Sequence, residues 1–191
     1  MWIDRHRNRV FFRFLIALCM SLGLVHCGHY QLTLNEAVVY SPKPLFTDFE
    51  VADINLRNCL DQTIKDHNYS SAGQLRQLNC SHAGIKSIQG LSLFAQLEQL
   101  DLSFNELQDL NEIQLLTRLR NLQLQHNHLA EIPQLLSLLR LEQLDVSENP
   151  DLLCRELWQL KDQQTLELTP PEHCQRAPTG PIQSQGRTSD R

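Results

Sequence analysis

A repeat with a 22-residue period organises the middle of the chain. Five aligned segments begin at residues 75, 97, 119, 141 and 163, and the last of them, QQTLELTPPEHC, is degenerate. The same apolar positions recur in every segment. One column consists of Leu78, Leu100, Leu122, Leu144 and Leu166, and a second of Cys80, Leu102, Leu124, Val146 and Leu168. Because one such segment cannot bury its own leucines, the pattern predicts a stack of coils that share one core.

The segments LEQLDLSFNELQDL from Leu97 and LRNLQLQHNHLAEI from Leu119 follow the pattern LxxLxLxxNxLxxI. This pattern resembles the leucine-rich repeat family, and the length of the repeat is similar to that of the bacterial class that includes internalins. The resemblance implies an α/β solenoid: a short curved horseshoe with a parallel β-sheet on the concave side, 3₁₀ or extended segments on the convex side and an N-terminal helical cap. It also implies that Asn105, Asn127 and Asn149 bond backbone groups of adjacent coils.

The segments around the repeats predict the rest of the domain organisation. Upstream, one helical face carries Leu56, Cys59, Leu60 and Ile64, and Asp53 is a good N-cap for that helix. We therefore expect an N-terminal cap over 47–74 and five repeats, with a degenerate C-terminal coil, over 75–174. Residues 27–46 are predicted to be a tether with one short strand at Tyr30–Leu34. Residues 175–191 lack an apolar period and are expected to be disordered.

The segment 1–26 is typical of a secretory signal peptide. The apolar run Phe11–Val25 is shorter than a membrane span. One aspartate and three arginines precede this run, and a fourth arginine, Arg13, lies near its start. Leu24-Val25-His26-Cys27 resembles a bacterial lipobox, although His26 stands where a small residue is usual. The hypothesis is lipidation at Cys27, and the alternative is ordinary cleavage near Cys27–Gly28. With Gly28 after the anchor, the resemblance implies an outer-membrane lipoprotein that faces the periplasm; otherwise the exported chain is periplasmic or secreted.

The net charge of the chain argues against one class of partner, nucleic acid. The formal net charge of the whole chain is −5, and the part that follows the signal is more acidic still. All but one of the 22 Asp and Glu lie in that part, whereas four of the 17 Lys and Arg belong to the signal. An acidic chain of this kind is not expected to bind nucleic acid. We expect a monomer that contacts the membrane only through its lipid anchor.

Four cysteines remain after Cys19 in the signal and Cys27 at the lipobox. In stacked coils, about 4.8 Å apart, Cys154 could bond to Cys174, and Cys59 on the cap helix could bond to Cys80. The alternative is that these residues are buried thiols that act as small hydrophobic side chains. The chain has no CxxC or HxxxH pair, so we expect no metal and no cofactor. It also has no GxSxG, HExxH, Walker or dinucleotide motif, and we expect no enzyme activity.

Residues that alternate with the inward leucines point outward from the sheet. They form an amide-rich, mildly acidic strip with one exposed aromatic side chain. Amides both donate and accept hydrogen bonds, which suits a polypeptide or a glycan. The prediction is a non-enzymatic module of the bacterial cell envelope that binds a protein or peptide on this face; the alternatives are a structural envelope lipoprotein without a dedicated ligand, a glycan binder, or a face that only keeps the protein soluble. The candidate partner-binding residues are Gln99, Asp101, Phe104, Asn121, Gln123, His126 and Asp145.

Overall fold

The computed structural model describes residues 32–34, 37–40, 43–163 and 166–175. The chain divides into two compact units, Met1–Pro44 and Leu45–Arg191. The predicted signal peptide, the proposed lipidation site Cys27 and the predicted tail beyond Gln175 lie outside the described residues.

The described part of the first unit consists of two short strands. β1 (Leu32–Leu34) and β2 (Ala37–Tyr40) pair antiparallel, with Leu34 opposite Ala37. The prediction of one strand here is therefore incomplete. The run Ala-Val-Val-Tyr contains β-branched and aromatic residues that favour strands, and it pairs with β1 instead of continuing as an unpaired tether.

The second unit begins with the predicted cap. Helix α1 (Ile54–His67) starts after Asp53, whose Oδ1 accepts hydrogen bonds from the backbone N–H groups of Asn55 (2.8 Å) and Leu56 (3.2 Å). The predicted N-cap is confirmed, and the helix buries Leu56, Leu60 and Ile64. No helix in the described ranges is long and apolar enough to cross a membrane.

Five parallel strands of three residues each form the sheet of the second unit, and they lie in chain order. The structure confirms the predicted leucine-rich repeat solenoid, with 3₁₀ segments on the return side of the first three coils at Leu91–Phe94, Ile113–Leu115 and Pro133–Ser137. The middle residue of each strand points inward and its neighbours point outward, so the outward residues make up what we call the sheet face. The strands are β3 (Gln77–Asn79), β4 (Gln99–Asp101), β5 (Asn121–Gln123), β6 (Gln143–Asp145) and β7 (Glu167–Thr169).

Buried asparagines join the coils at the ends of the strands. Asn105 accepts from the backbone N–H groups of Ala83 (3.2 Å) and Ile85 (2.9 Å), and its amide donates to the carbonyl oxygens of Cys80 and Leu102. Asn127 and Asn149 repeat this arrangement one and two coils later, and all three are buried. Because a buried amide without partners would be costly, these bonds both satisfy the asparagines and hold neighbouring coils together.

The register changes once, between β6 and β7. Earlier strands pair at the period of the repeat, as with Leu100 opposite Leu122, but Leu144 lies opposite Leu168 and not opposite the predicted Leu166. The predicted fifth members of both leucine columns are therefore wrong, because each true member lies two positions later in the chain. Here the return side is an α-helix, α2 (Cys154–Gln163). A helix rises about 1.5 Å per residue, less than a 3₁₀ or extended segment, so it uses more residues over the same distance.

Two glutamates cap the return segments of preceding coils. Glu112 accepts from the backbone N–H groups of Gly90 (2.9 Å) and Ser92 (3.1 Å), and buried Glu156 accepts from Ile132 (2.8 Å). Burial raises the pKa of Glu112, but the hydrogen bonds from Gly90 and Ser92 outweigh it, and the pKa is lowered overall. The sequence pattern assigned no role to Glu112, whereas the structure makes it a cap.

Both predicted disulfides are present. Cys59–Cys80 joins α1 to the first coil, with the Cα atoms 5.8 Å apart, and Cys154–Cys174 joins the last two coils, with the Cα atoms 5.3 Å apart. The alternative of two buried thiols in place of a disulfide is therefore wrong.

Candidate functional site

A cleft of about 550 Å³ opens between the C-terminal half of α1 and the sheet face of the first three coils. The helix contributes Thr63, Asp66 and His67 to one wall. The outward side chains that the strands contribute are all amides or carboxylates: Gln77, Asn79, Gln99, Asp101, Asn121 and Gln123.

The helical wall of the cleft is fixed in place by several bonds. The Cys59–Cys80 disulfide ties the middle of α1 to the segment after β3. At the start of the helix, Asp53 Oδ2 accepts from the backbone N–H groups of Lys86 (2.7 Å) and Ser87 (3.2 Å), and Asn55 donates to the carbonyl of Gly84 (2.8 Å). The cleft is thus preformed, which reduces the entropy that a ligand would otherwise lose by ordering it.

The same bonds lower the pKa of the Asp53 carboxyl group. Burial raises its pKa, but donation from the backbone N–H groups of Lys86, Leu56, Asn55 and Ser87 outweighs burial and lowers the pKa overall. The carboxylate therefore stays charged to a lower pH than a free aspartate and links α1 to the first return segment.

Much of the hydrogen-bonding capacity in the cleft is unused. Asp101 Oδ1 accepts from the backbone N–H (2.9 Å) and hydroxyl (2.6 Å) of Ser103, and Asp66 Oδ1 accepts from Gln62 (2.7 Å). The second oxygen of each carboxylate has no hydrogen bond among the described residues. The strand backbones are occupied by the parallel ladder, so the outward side chains are the groups that can meet a ligand.

A column of rings lies beyond the carboxyl ends of the first three strands. The Phe104 ring stacks between His82 and His126, with ring centroids 4.1 and 4.2 Å apart. All three residues have left-handed backbone conformations, with φ of 57° for His82, 56° for Phe104 and 54° for His126. Phe104 remains 40% exposed. The backbone of the repeat imposes this conformation, because Glu148 in the next coil has it too.

The predicted partner-binding residues fall into three places. Four of them line the cleft: Gln99, Asp101, Asn121 and Gln123. Phe104 and His126 belong to the ring column. Asp145 lines neither, and its Oδ1 accepts from the backbone N–H and hydroxyl of Ser147.

Sequence reasoning missed the helical wall of the cleft. Thr63, Asp66 and His67 follow Cys59 by four, seven and eight positions, so they share its helix face. A disulfide between Cys59 and Cys80 brings this helix face next to β3, so the spacing of the three residues from Cys59 was the available signal. His82 was also missed as a ring partner of Phe104, although both occupy the same position in successive coils.

One cluster has the composition of a metal site. The ligand atoms of Cys154, His173 and Cys174 lie within 4.8 Å of one another. The two sulfurs are bonded to each other, however, and a disulfide offers no thiolate to a metal. His173 Nε2 instead lies 2.9 Å from the carbonyl oxygen of Leu152.

Comparisons with known proteins give a fold and no sequence family. No protein-family model and no curated protein matches the chain. Among solved structures, internalin C2 (inlC2) of Listeria monocytogenes matches with a TM-score of 0.51 and 19% identity, over 68% of this chain and 69% of that chain. The fold is that of an internalin-like leucine-rich repeat solenoid. A second internalin (inlF) of the same organism has 24% identity and a TM-score of 0.48 to this solenoid, over 56% of this chain and 33% of that chain. The match thus spans about a third of that internalin.

Proposed function

We propose that this internalin-like module binds a polypeptide, without catalysis, through the cleft and the neighbouring sheet face. The observation that carries the proposal is the cleft itself: a preformed opening whose lining amides and carboxylates keep unused hydrogen-bonding capacity. An extended peptide presents alternating N–H and C=O groups, and side-chain amides can pair with both.

The ring column supports a binding role. A bulky side chain in the left-handed region is strained, and asparagine or glycine would adopt that conformation more easily than Phe104. The chain nevertheless places an exposed phenylalanine there, stacked between two imidazoles. Aromatic side chains at the centre of an interface commonly dominate its affinity. Phe104 is therefore the proposed anchor, with His126 beside it.

A polypeptide fits the cleft better than the alternatives. Glycan sites commonly use aromatic faces as stacking platforms, but the only ring in the described lining is the imidazole of His67, which stacks on Tyr69 at 5.2 Å. A purely structural role would not require an exposed, strained phenylalanine. Asp145 lies on β6, in the part of the sheet face that does not line the cleft.

We further propose that the chain is exported and anchored through lipid on Cys27. The two disulfides support export, because disulfides persist in oxidising compartments and are rare in the cytosol. Labelling with a fatty-acid analogue, compared between the natural chain and Cys27→Ala, tests the anchor. The outer-membrane location, facing the periplasm, is part of the same proposal.

The binding proposal is tested by selecting short peptides on the purified mature protein and measuring their affinity for variants. Combining Phe104→Asn with Asp101→Asn and Gln123→Ala should weaken binding about 30-fold or more, as expected for loss of an aromatic anchor. Asparagine is chosen at 104 because it tolerates positive φ.

Matched controls come from the opposite side of the repeats. Leu115→Ala combined with Asp109→Asn and Gln108→Ala removes another exposed apolar group, another carboxylate and another amide, and should leave affinity unchanged. Unchanged thermal unfolding must accompany the loss of binding. Affinity that survives the first set of changes would place binding elsewhere and refute the proposal.

A further inference from the structure

We propose that the cleft accepts the side chain of a lysine or arginine from an extended peptide. This inference rests on the proposed function and specifies which residue of the peptide enters the cleft. The charged side chains that line the cleft are all negative.

The charged side chains in the described lining are Asp66 on the helical wall and Asp101 on the strand floor. No lysine or arginine is among the described lining residues. The arginines that immediately precede lining residues on the strands, Arg76 and Arg120, form ion pairs with Glu98 and Glu142. The two carboxylates thus line the helical wall and the strand floor of the cleft, and no lysine or arginine in the described part of the chain forms an ion pair with either of them.

Each carboxylate is held by one oxygen and leaves the other available. Ser103 holds Asp101 Oδ1, and Gln62 holds Asp66 Oδ1. A carboxylate fixed in this way loses little side-chain entropy when a second donor arrives. An ammonium or guanidinium group brings several N–H donors and no acceptor, which matches two free carboxylate oxygens flanked by amide oxygens.

The amides explain why the occupant is a peptide side chain and not a free amine. Gln77 and Gln99 lie opposite each other on the first two strands, and Gln123 lies opposite Asp101 on the third strand. The side-chain amides of these three glutamines have no hydrogen bond among the described residues. They can pair with the peptide backbone on both sides of the basic residue. Binding then has two parts: a charge-independent part from amides and a charge-dependent part from Asp66 and Asp101.

The test uses two mixtures of short peptides, acetylated and amidated at their ends and free of other basic residues. In one mixture the central residue is lysine, and in the other it is glutamine. The mature protein is immobilised, and the retained peptides are quantified by mass spectrometry. We expect the lysine mixture to be retained on the order of tenfold more than the glutamine mixture, with the preference falling as salt is raised.

The decisive variant combines Asp66→Asn with Asp101→Asn. Asparagine can keep the local bonds, because Asn79 Oδ1 already accepts from Ser81 (3.0 Å) at the position equivalent to Asp101. This variant should lose the lysine preference and retain the glutamine mixture as before. The matched control, Asp48→Asn with Asp151→Asn, removes two exposed carboxylates outside the lining and should keep the preference.

Three results would overturn the inference. Equal retention of both mixtures by the natural protein, or a lysine preference that survives Asp66→Asn with Asp101→Asn, would refute the basic-residue site and leave peptide binding intact. Retention of neither mixture would refute peptide binding itself, and the inference with it.

Discussion

The coils that begin at Leu97 and Leu119 differ from the last coil in how they join their neighbours. The middle coils keep the regular period, have short 3₁₀ return segments and are joined by the buried Asn105, Asn127 and Asn149. The last coil breaks the period, follows an α-helix and is held by a disulfide. Where buried polar bonds between coils end, a covalent bond takes their place.

The difference shows which part of a repeat sets its period. The strand and its asparagine turn have a fixed length, whereas the return segment varies with its conformation. In the shifted register of β7, His173 takes the place that Asn149 holds one coil earlier, and its Nε2 contacts a carbonyl of the preceding coil. His173 is exposed, while Asn149 is fully buried, so the same kind of contact stabilises the end of the stack less.

The largest expected effect is in the core of the middle coils. Leu122 is fully buried, and Leu122→Ala should lower the free energy of unfolding by about 2–5 kcal/mol. Leu168 is half-buried, and Leu168→Ala should cost only about 1 kcal/mol. Urea denaturation of both variants measures this. Equal losses would contradict the difference in packing between the two regions.

Reduction should affect the last coil first. The Cys154–Cys174 bond closes a span of 20 residues, and its loss should cost about 3 kcal/mol. Hydrogen exchange with and without reductant should show faster exchange over residues 150–174. The Cys59→Ser and Cys80→Ser pair is the control: with only Cys154–Cys174 left, reduction should still affect that region. Unchanged protection there would refute the role of the disulfide.

Loss of an asparagine that joins two coils should have an intermediate effect on stability, and the effect should differ between the middle coils and the last coil. Asn127→Ala leaves the buried N–H of Leu107 unpaired and removes one of two asparagine hydrogen bonds from each of the Leu102 and Leu124 carbonyls, and should cost about 1–3 kcal/mol. His173→Ala removes one exposed contact and should cost less than about 1 kcal/mol. Thermal unfolding of both variants is the measurement, and similar losses would mean that the last coil is joined as firmly as the middle ones.

The smallest expected loss of stability comes from removing the charge of Glu112, which caps the return segment of the preceding coil. Because its pKa is lowered in the folded protein, its contribution is complete above the unfolded value near 4.5 and is lost as pH falls through the folded pKa. Glu112→Gln should therefore be about 0.5–1 kcal/mol less stable than the natural protein at neutral pH. The two stabilities should converge in acid. A difference independent of pH would show that charge has no part in the cap.

The sequence predicts features that each repeat specifies locally. The leucine columns give the first four strands and their register, and Asp53 followed by an apolar helical face gives α1. The disulfides follow from coil spacing. The strip of outward residues follows from alternation, which is why four of its predicted residues line the cleft.

The remaining features depend on contacts between distant segments. The longer spacing before the last strand depends on α2 replacing a 3₁₀ segment, and the leucine columns do not specify the conformation of the return segment. The cleft depends on where α1 packs, which the repeat does not specify.

The most direct test of polypeptide binding in the cleft is an NMR titration of the mature protein with a selected peptide, following the side-chain amide resonances. We expect the resonances of Gln77, Gln99, Asn121 and Gln123 to shift together and saturate at one affinity. Those of Gln108 and Gln114, on the opposite side of the repeats, should not move. Shifts confined to Gln108 and Gln114, or saturation without any shift in the cleft amides, would contradict the assignment of the cleft as the binding site.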